Sequence, residues 1–328
     1  MKAITQKIGA LFAGLLLASA AVAVDAYPSR PLTMMVPYPA GGLSDMIGRL
    51  ISSNLSKQLG QPVQVENLGG MSGAIAAQKV LDAPGDGYYL FQASPNEVIL
   101  SPLANSAVRF KSENFRMVQL IGLSPMVLIA RKDLPANTAD ELVTLARSVS
   151  RERPLTYGSV GTGSFYHLMG AFLGETIHAN LVHTPYKGIA PLLQDMGDGK
   201  VDIAMLPYSK QYQALVEKGR MKIIGTLSGT RPEPLKNLPT VNEGKLLKNF
   251  GFSIWTGYMV RKDTPDSVVE RLNKAISAAL ADPVVRAQLE AQSMIVAAPM
   301  TLAEGNKQYA METSIFRAIA QFVNMQPQ

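Results

Sequence analysis

The 328-residue sequence contains no cysteine, one tryptophan and three histidines. The absence of cysteine excludes disulfides, zinc sites built on thiolates and lipid attachment to a cysteine. The histidines are scattered, at His167, His178 and His183, and they lack the HExxH spacing of zinc hydrolases. The sequence therefore predicts a protein without a cofactor or a metal ion.

The sequence is also poor in charge, since Asp, Glu, Lys and Arg make up 17% of it and the net charge is +6. No cluster of basic residues is interleaved with aromatic ones, which argues against nucleic-acid binding. A hydrophobic content of 47% is that of an ordinary globular protein. The length is sufficient for two lobes or for one large domain.

Long apolar runs are confined to the N-terminus. Residues 1–26 combine Lys2 and Lys7 with a short apolar stretch and small residues after it, which is the pattern of a secretory signal peptide. Cleavage is predicted after Ala23 or Ala26. A membrane anchor is the weaker interpretation, because a helical span needs about 20 apolar residues. We therefore expect a soluble mature protein in the periplasm or outside the cell.

The segment from Val36 to Asp45 predicts a strand end, a Gly-rich turn and the start of a helix. An apolar run ends at Val36, and an amphipathic run begins at Met46. Ser44 or Asp45 is the predicted N-cap of this helix. The turn leaves backbone N–H groups at the positive end of the helix dipole, which favours an anion.

A second segment of the same design lies near the middle of the chain. A short strand from Leu155 leads into Gly158-Ser159-Val160-Gly161-Thr162-Gly163-Ser164, and a predicted helix follows. Further strand and loop units occur between these two segments. Repeated units of this kind predict a parallel sheet with helical connections, whose ligands bind beyond the carboxyl ends of the strands.

Two separate strands are predicted at Met117–Leu123 and Met126–Ala130. The second is followed by Arg131-Lys132-Asp133, and a later strand is followed by the similar Arg261-Lys262-Asp263. Two strands that are followed by such similar segments are compatible with a pair of crossover strands between lobes, although chance similarity explains the segments equally well. Thr264 is the predicted N-cap of the helix after the later strand.

Enzymatic functions find little support. Neither Gly-rich loop has the G-x-G-x-x-G order or a P-loop lysine, and the G-x-S-x-G nucleophile elbow is absent. A secreted serine hydrolase that uses Ser159 or Ser164 with His167 is an alternative. A binding protein needs only two such loops and a hinge between lobes. Fixed N–H donors favour a carboxylate, by about 1.5–3 kcal/mol for each hydrogen bond to the charge.

Several motifs, taken together and in this order, resemble the Bug family, the periplasmic solute receptors of tripartite tricarboxylate transporters. The resemblance covers nearly the whole mature chain. The motifs are Tyr27-Pro28-Ser29-Arg30-Pro31, Val36-Pro37-Tyr38-Pro39-Ala40-Gly41-Gly42 with Asp45 and Arg49, Glu66-Asn67, Asp86-Gly87-Tyr88, Tyr157-Gly158-Ser159 with Gly161, Gly163 and Ser164, Pro185-Tyr186-Lys187-Gly188, and Trp255-Thr256-Gly257.

The resemblance implies an α/β fold of the type II periplasmic binding protein class, with two α/β lobes, two crossover strands and a ligand cleft between the lobes. Lobe 1 would comprise residues 27–128 plus 257–328, and lobe 2 residues 129–256. The implied function is that of a monomeric receptor, not an enzyme. It would bind a small carboxylate, such as a dicarboxylate, tricarboxylate or aromatic acid, and deliver it to integral membrane transporter subunits. A ligand sensor for a signalling system is the alternative.

The same resemblance implies where the ligand binds. The candidate residues lie in the two Gly-rich loops, after the strand that ends near Ser94, and in the strand end at Tyr208. They are Tyr38, Pro39, Ala40, Gly41, Gly42, Ser44, Asp45, Ser94, Asn96, Ser159, Gly161, Thr162, Gly163, Ser164, His167 and Tyr208.

The sequence departs from the family pattern at three places near these residues. Leu68 to Gly73 replaces a Pro-Gly-Ala-Gly-Gly segment. Met205 to Tyr208 lacks the acidic residue that would pair with an ammonium group, which disfavours amino acid ligands. Pro95 to Val98 replaces a run of small residues. Asn96 or Glu97 could affect specificity there, but an exposed turn is the favoured interpretation.

Overall fold

The computed structural model describes residues 27–149 and 151–327. The predicted signal peptide and its cleavage sites lie outside the described residues. Within the described ranges, no helix is both long and apolar enough to cross a membrane.

Short apolar runs form most of the strands, and they are buried because helices cover the sheet. Met34, Met35 and Val36, for example, are completely inaccessible. The strands of the described ranges are β1 (Leu32–Val36), β2 (Val63–Asn67), β3 (Tyr89–Ala93), β4 (Phe115–Arg131), β5 (Leu155–Ser159), β6 (Leu181–Pro185), β7 (Ile203–Pro207), β8 (Met221–Thr226), β9 (Ser253–Arg261) and β10 (Ile295–Val296).

The strands follow the order β2-β1-β3-β9-β4-β7-β5-β6, and β8 and β10 also pair with β4. At one end, β1 is parallel to both β2 and β3. At the other end, β5 is parallel to both β6 and β7. Each of these parallel groups has helical connections, so the carboxyl ends of β1, β3 and β5 are followed by the loops that carry the candidate residues.

The long strand β4 joins the two parallel groups. The sequence predicted two strands here, and that prediction is wrong, because residues Phe115–Arg131 form one continuous strand. Its first part pairs with β9 as far as Pro125. From Met126 onwards it pairs with β7 and β8 instead. The apparent break at Ser124-Pro125 is therefore the point where β4 changes partners.

The described ranges contain ten α-helices, most of which connect strands. The helix after β9 begins at Asp266 with Pro265 as N-cap, so the predicted N-cap Thr264 is wrong by one residue. The helices are α1 (Leu43–Leu59), α2 (Ala74–Asp82), α3 (Ser101–Ala104), α4 (Ala139–Val149), α5 (Phe165–Ile177), α6 (Ile189–Gly197), α7 (Lys210–Glu217), α8 (Asp266–Ala281), α9 (Pro283–Glu290) and α10 (Leu302–Phe322).

Two apolar clusters form the core. In one, Ile47 and Ile51 of α1 pack with Val269 and Leu272 of α8 against the β1 group. The other cluster extends through β4 to the β5 group. Near α10, the rings of Phe165 and Phe316 meet edge to face with their centroids 5.5 Å apart. This contact fixes the start of α5 beside the C-terminal helix, although the two are distant in sequence.

Candidate ligand-binding site

The first Gly-rich loop runs from the end of β1 to the start of α1. The N-cap of α1 is Gly42, in an extended conformation, so the predicted N-cap at Ser44 or Asp45 is wrong. Asp45 lies in the first turn of the helix, and its side chain reaches back towards the loop. Its Oδ2 accepts hydrogen bonds from Gly41 N at 2.9 Å and Arg49 Nε at 3.0 Å. The hydrogen bond from Arg49, followed by that from Gly41, lowers the pKa of Asp45.

The exposed part of this loop is suited to an anion. Pro39, Ala40, Gly41 and Gly42 are exposed, and Ser44 is half-buried. No side chain among the described residues caps the first turn of α1. The N–H groups at the start of the helix thus keep their hydrogen-bonding capacity and the positive end of the dipole behind them.

Tyr38, in the same loop, points inward. Its hydroxyl donates to Glu97 Oε1 at 2.5 Å, and the backbone N–H of Ser94 donates to Glu97 Oε2 at 2.5 Å. Glu97 is completely inaccessible. Burial raises the pKa of Glu97. Burial, reinforced by the nearby Glu97 carboxylate, also raises the pKa of Tyr38.

The segment after β3 is therefore not the exposed turn that the sequence favoured. Residues Asn96–Leu100 form a π-helical turn that continues into α3, and every residue of the turn is buried. Ser94 is also buried, and its Oγ accepts from Asn96 N at 3.2 Å. The burial of this segment is explained by the apolar Val98, Ile99 and Leu100, which join the core.

The second Gly-rich loop is organised around Gly161. Its carbonyl oxygen accepts from Ser159 Oγ at 3.0 Å and from Ser164 Oγ at 2.7 Å. Ser164 is the N-cap of α5 and accepts from His167 N, as the sequence pattern of a capped helix start requires. Thr162 is exposed, whereas Ser159, Gly163 and Ser164 are buried.

Two histidines stack beside this loop. The rings of His167 and His183 lie 4.0 Å apart, and His167 Nδ1 accepts from Gly163 N at 3.0 Å. Because Nδ1 is an acceptor, neutral His167 carries its proton on Nε2. Burial lowers the pKa of His167. Burial, and then the neighbouring His167, lowers the pKa of His183 to about 4.

The serine hydrolase alternative finds no support in this geometry. The Oγ of Ser159 lies 2.7 Å from His183 Nε2, so its partner is His183 and not His167. Ser159 is completely inaccessible. Throughout residues 27–149 and 151–327, no carboxylate forms a hydrogen bond with His183. A nucleophile needs access to its substrate and a base held by a third group, and this pair has neither.

The two loops are linked through the turn after β3. Asn96 Oδ1 accepts a hydrogen bond from Phe165 N, the first residue of α5, at 2.9 Å. Its neighbour Glu97 accepts from Tyr38 in the first loop. A Cβ atom on Gly163 would collide with the side chain of Ala104 at the end of α3. The candidate residues of the two loops are therefore brought to one region of the molecule.

Tyr208 lies apart from these hydrogen bonds, at the end of β7. Its backbone N–H donates to Pro125 O at 2.8 Å, where β4 changes partners. Its side chain is half-buried, and burial raises its pKa. Tyr208 thus sits between the two strand groups, on the side of the second loop.

The sequence named Glu97 only as part of a turn that was favoured as exposed, and His183 was not among the candidate site residues. Glu97 precedes the apolar run of Val98, Ile99 and Leu100, and an acid in such a context is a signal of burial that could have been recognised. His183 gave no comparable signal, because its contact with Ser159 depends on the register that pairs Tyr157 with His183.

Comparison with known proteins identifies the family. The sequence profile described as tripartite tricarboxylate transporter family receptor matches residues 47–315. The chain belongs to this family. Its receptors are solute-binding proteins and not a class of enzymes. The predicted α/β fold of the periplasmic binding protein class is confirmed, since the solved structures it resembles have that fold.

Three relatives illustrate the similarity. A protein of Agrobacterium vitis, encoded in the TAR-I ttuE-ttuC' intergenic region, is 34% identical over 278 residues, which are 85% of this receptor and 79% of that protein. The structure of R. palustris Rpa4515 with adipate has a TM-score of 0.79 and 27% identity, and the match covers 92% of this receptor and 100% of that chain. MatC of Rhodopseudomonas palustris with bound malate has a TM-score of 0.76 and 26% identity, covering 89% and 99%.

Proposed function

We propose that this receptor is exported to the periplasm and binds a small carboxylate between the loops 38–45 and 159–164. The ligand class comprises dicarboxylates, tricarboxylates and aromatic acids. We further propose that the receptor acts as a monomer and delivers the ligand to integral membrane transporter subunits. The observation that carries the proposal is the pair of contacts from adjacent residues, Glu97 to Tyr38 and Asn96 to Phe165, which bring both loops together.

The first loop is the main reason to propose a carboxylate as the ligand. The exposed backbone at Gly41 and Gly42 leads into a helix start that no side chain of the described residues caps. Fixed N–H donors of this kind favour a negative charge, by about 1.5–3 kcal/mol for each charge-assisted hydrogen bond. The hydroxyl of Ser44, in the first turn of the same helix, is half-buried.

The second loop would complete the site from the other side. Thr162 is exposed and offers a hydroxyl, and neutral His167 offers an Nε2–H donor. A ligand held by backbone groups, a hydroxyl and a neutral imidazole needs no fixed positive charge from the protein. The adipate and malate bound to two relatives are both carboxylates, which supports this ligand class.

Ligand screening tests the proposal. The receptor without residues 1–26 is heated with a library of carboxylates that includes adipate and malate. A ligand bound only by the native state raises the unfolding temperature with increasing concentration. Absence of a shift with every carboxylate would contradict the proposal. Uptake of a labelled ligand in a strain that lacks the receptor distinguishes transport, where uptake is lost, from a sensor role, where uptake by existing permeases persists.

A further inference from the structure

Glu97 is a completely buried carboxylate at the meeting point of three loops. It accepts from the Tyr38 hydroxyl of the first Gly-rich loop and from the Ser94 N–H after β3. The third loop, between β2 and α2, packs on it so closely that a Cβ on Gly73 would collide with its side chain. A buried carboxylate with two donors fixes the positions of the groups that donate to it.

Asn96, the residue before Glu97, contacts the helix that follows the second Gly-rich loop. Asn96 Oδ1 accepts from Phe165 N, and Phe165 is inaccessible. As the first residue of α5, Phe165 has no acceptor within its own helix, so Asn96 satisfies a buried donor that would otherwise be orphaned. Tyr166, beside it, is also buried. Asn96 and Glu97 belong to one π-helical turn, so neither can shift without the other.

We propose that Glu97 and Asn96 are positioning residues that connect the two ligand-binding loops. Glu97 holds Tyr38 of the first loop by a hydrogen bond. The π-helical turn fixes Asn96 relative to Glu97, and Asn96 holds the start of α5 after the second loop. Displacement of one loop is thereby transmitted to the other. The role of this connection rests on the proposed function, because the two loops that it aligns are the two halves of the proposed ligand site.

Three substitutions distinguish the hydrogen bonds of this connection from the charge of Glu97. In Glu97→Gln, the amide oxygen can accept from Ser94 N, and the amide nitrogen can donate to Tyr38 Oη, which is able to accept. This variant keeps both links and removes the carboxylate. Glu97→Met has a similar length and no hydrogen-bonding oxygen, so it removes both links. Tyr38→Phe removes only the link to the first loop.

Amide hydrogen exchange of the unliganded receptor, measured by NMR, tests the connection. Glu97→Met is expected to speed the exchange of Phe165 N–H by about tenfold, the size expected for loss of one supporting hydrogen bond, although Glu97 does not contact Phe165. Tyr38→Phe is expected to speed it by about threefold, and Glu97→Gln by less than about twofold. Tyr27→Phe is the control, because it removes a hydroxyl that donates to Gly87 O, outside the connection and away from both Gly-rich loops.

An exchange rate of Phe165 N–H that is the same in Tyr38→Phe and Tyr27→Phe overturns the proposal, and Tyr38→Phe answers the question even if Glu97→Met does not fold. Affinity for adipate and malate is measured separately by calorimetry. If the unaltered receptor binds neither these nor any other carboxylate, the proposed function fails, while the exchange rates still decide whether the loops are connected. If it binds one, the dissociation constant is expected to rise about tenfold in Glu97→Met and less than about threefold in Glu97→Gln.

Discussion

Gly163 lies directly against Ala104, the last residue of α3, with no room for a methyl group between them. Gly163 has a φ of +77°, in the region that favours glycine. The second Gly-rich loop is thus adapted to its neighbour in two ways, by its backbone conformation and by its lack of a side chain. The contact joins the segment after β3 to the segment after β5.

Gly163→Ala is expected to destabilise the receptor more than its backbone conformation alone explains. Gly199 has the same φ of +77° but no atom within 4 Å of its missing Cβ, so Gly199→Ala isolates the conformational cost. The collision with Ala104 should add about 1–3 kcal/mol to the loss in free energy of unfolding, as overpacking does elsewhere. Urea unfolding of both variants measures the difference. Ala104→Gly should restore stability to Gly163→Ala, and a failure to do so would disprove the contact.

Glu97 is expected to make stability depend on pH. Burial raises its pKa in the folded state above the ordinary value of 4.5. The carboxyl group of Glu97 therefore stays protonated to a higher pH in the folded protein than in the unfolded chain. Protonated Glu97 contributes stability below pH 4.5, and this contribution is lost as the pH rises through the raised pKa. The free energy of unfolding of the unaltered receptor, minus that of Glu97→Gln, should fall as the pH rises above 4.5. A difference that stays constant with pH would contradict this assignment.

His183 is expected to change the stability with pH in the opposite direction. Burial and the neighbouring His167 lower its pKa from 6.5 to about 4. The unfolded chain therefore takes up a proton that the folded protein excludes, and stability is lost as the pH falls from 6.5 towards about 4. His183→Gln keeps a polar group near Ser159 and should lose less stability over this range. His178→Asn, at an exposed position with positive φ, serves as the control. NMR titration of the imidazole signals measures the pKa directly.

Trp255 is expected to report ligand binding. It lies in β9 opposite Leu123 of β4, next to the predicted lobe boundary between residues 256 and 257. The ring is buried against Tyr309, and among the described residues its Nε1 has no hydrogen-bond partner. We expect its fluorescence to change when a carboxylate closes the cleft, because it is the only tryptophan. An unchanged spectrum at saturation would argue against a hinge at this position.

The sequence was sufficient to predict the fold and the position of the loops. Both Gly-rich segments follow short apolar strands and precede amphipathic helices, as periodicity predicted. The helix boundary at Gly42 was missed because Asp45, a good N-cap by type, acts from inside the helix on Gly41. The strand β4 was divided in two because Ser124-Pro125 has the composition of a break.

The hydrogen bonds of the site could not be predicted to the same extent. The contacts of Glu97 with Tyr38 and of Asn96 with Phe165 join residues 59 and 69 positions apart. The contact between Ser159 and His183 depends on strand register, which short-range patterns do not define. Lobe boundaries and ligand-contacting residues remain predictions, and the latter depend on where a ligand lies.

The proposed carboxylate site depends on backbone N–H groups at the start of α1, and Leu43 provides the most direct test. It is the first residue of α1 and 43% exposed, and the extended conformation of Gly42 before it is compatible with proline. Leu43→Pro removes one N–H donor, whereas Leu43→Ala removes only the side chain.

Calorimetric titration of both variants with the carboxylate that the unaltered receptor binds most tightly is the decisive measurement. Leu43→Ala should bind within about threefold of the unaltered receptor, while Leu43→Pro should bind at least about tenfold more weakly, since one hydrogen bond to the charge is lost. The unfolding temperatures of the unliganded variants should agree. Equal affinity of Leu43→Pro and Leu43→Ala would contradict the central claim.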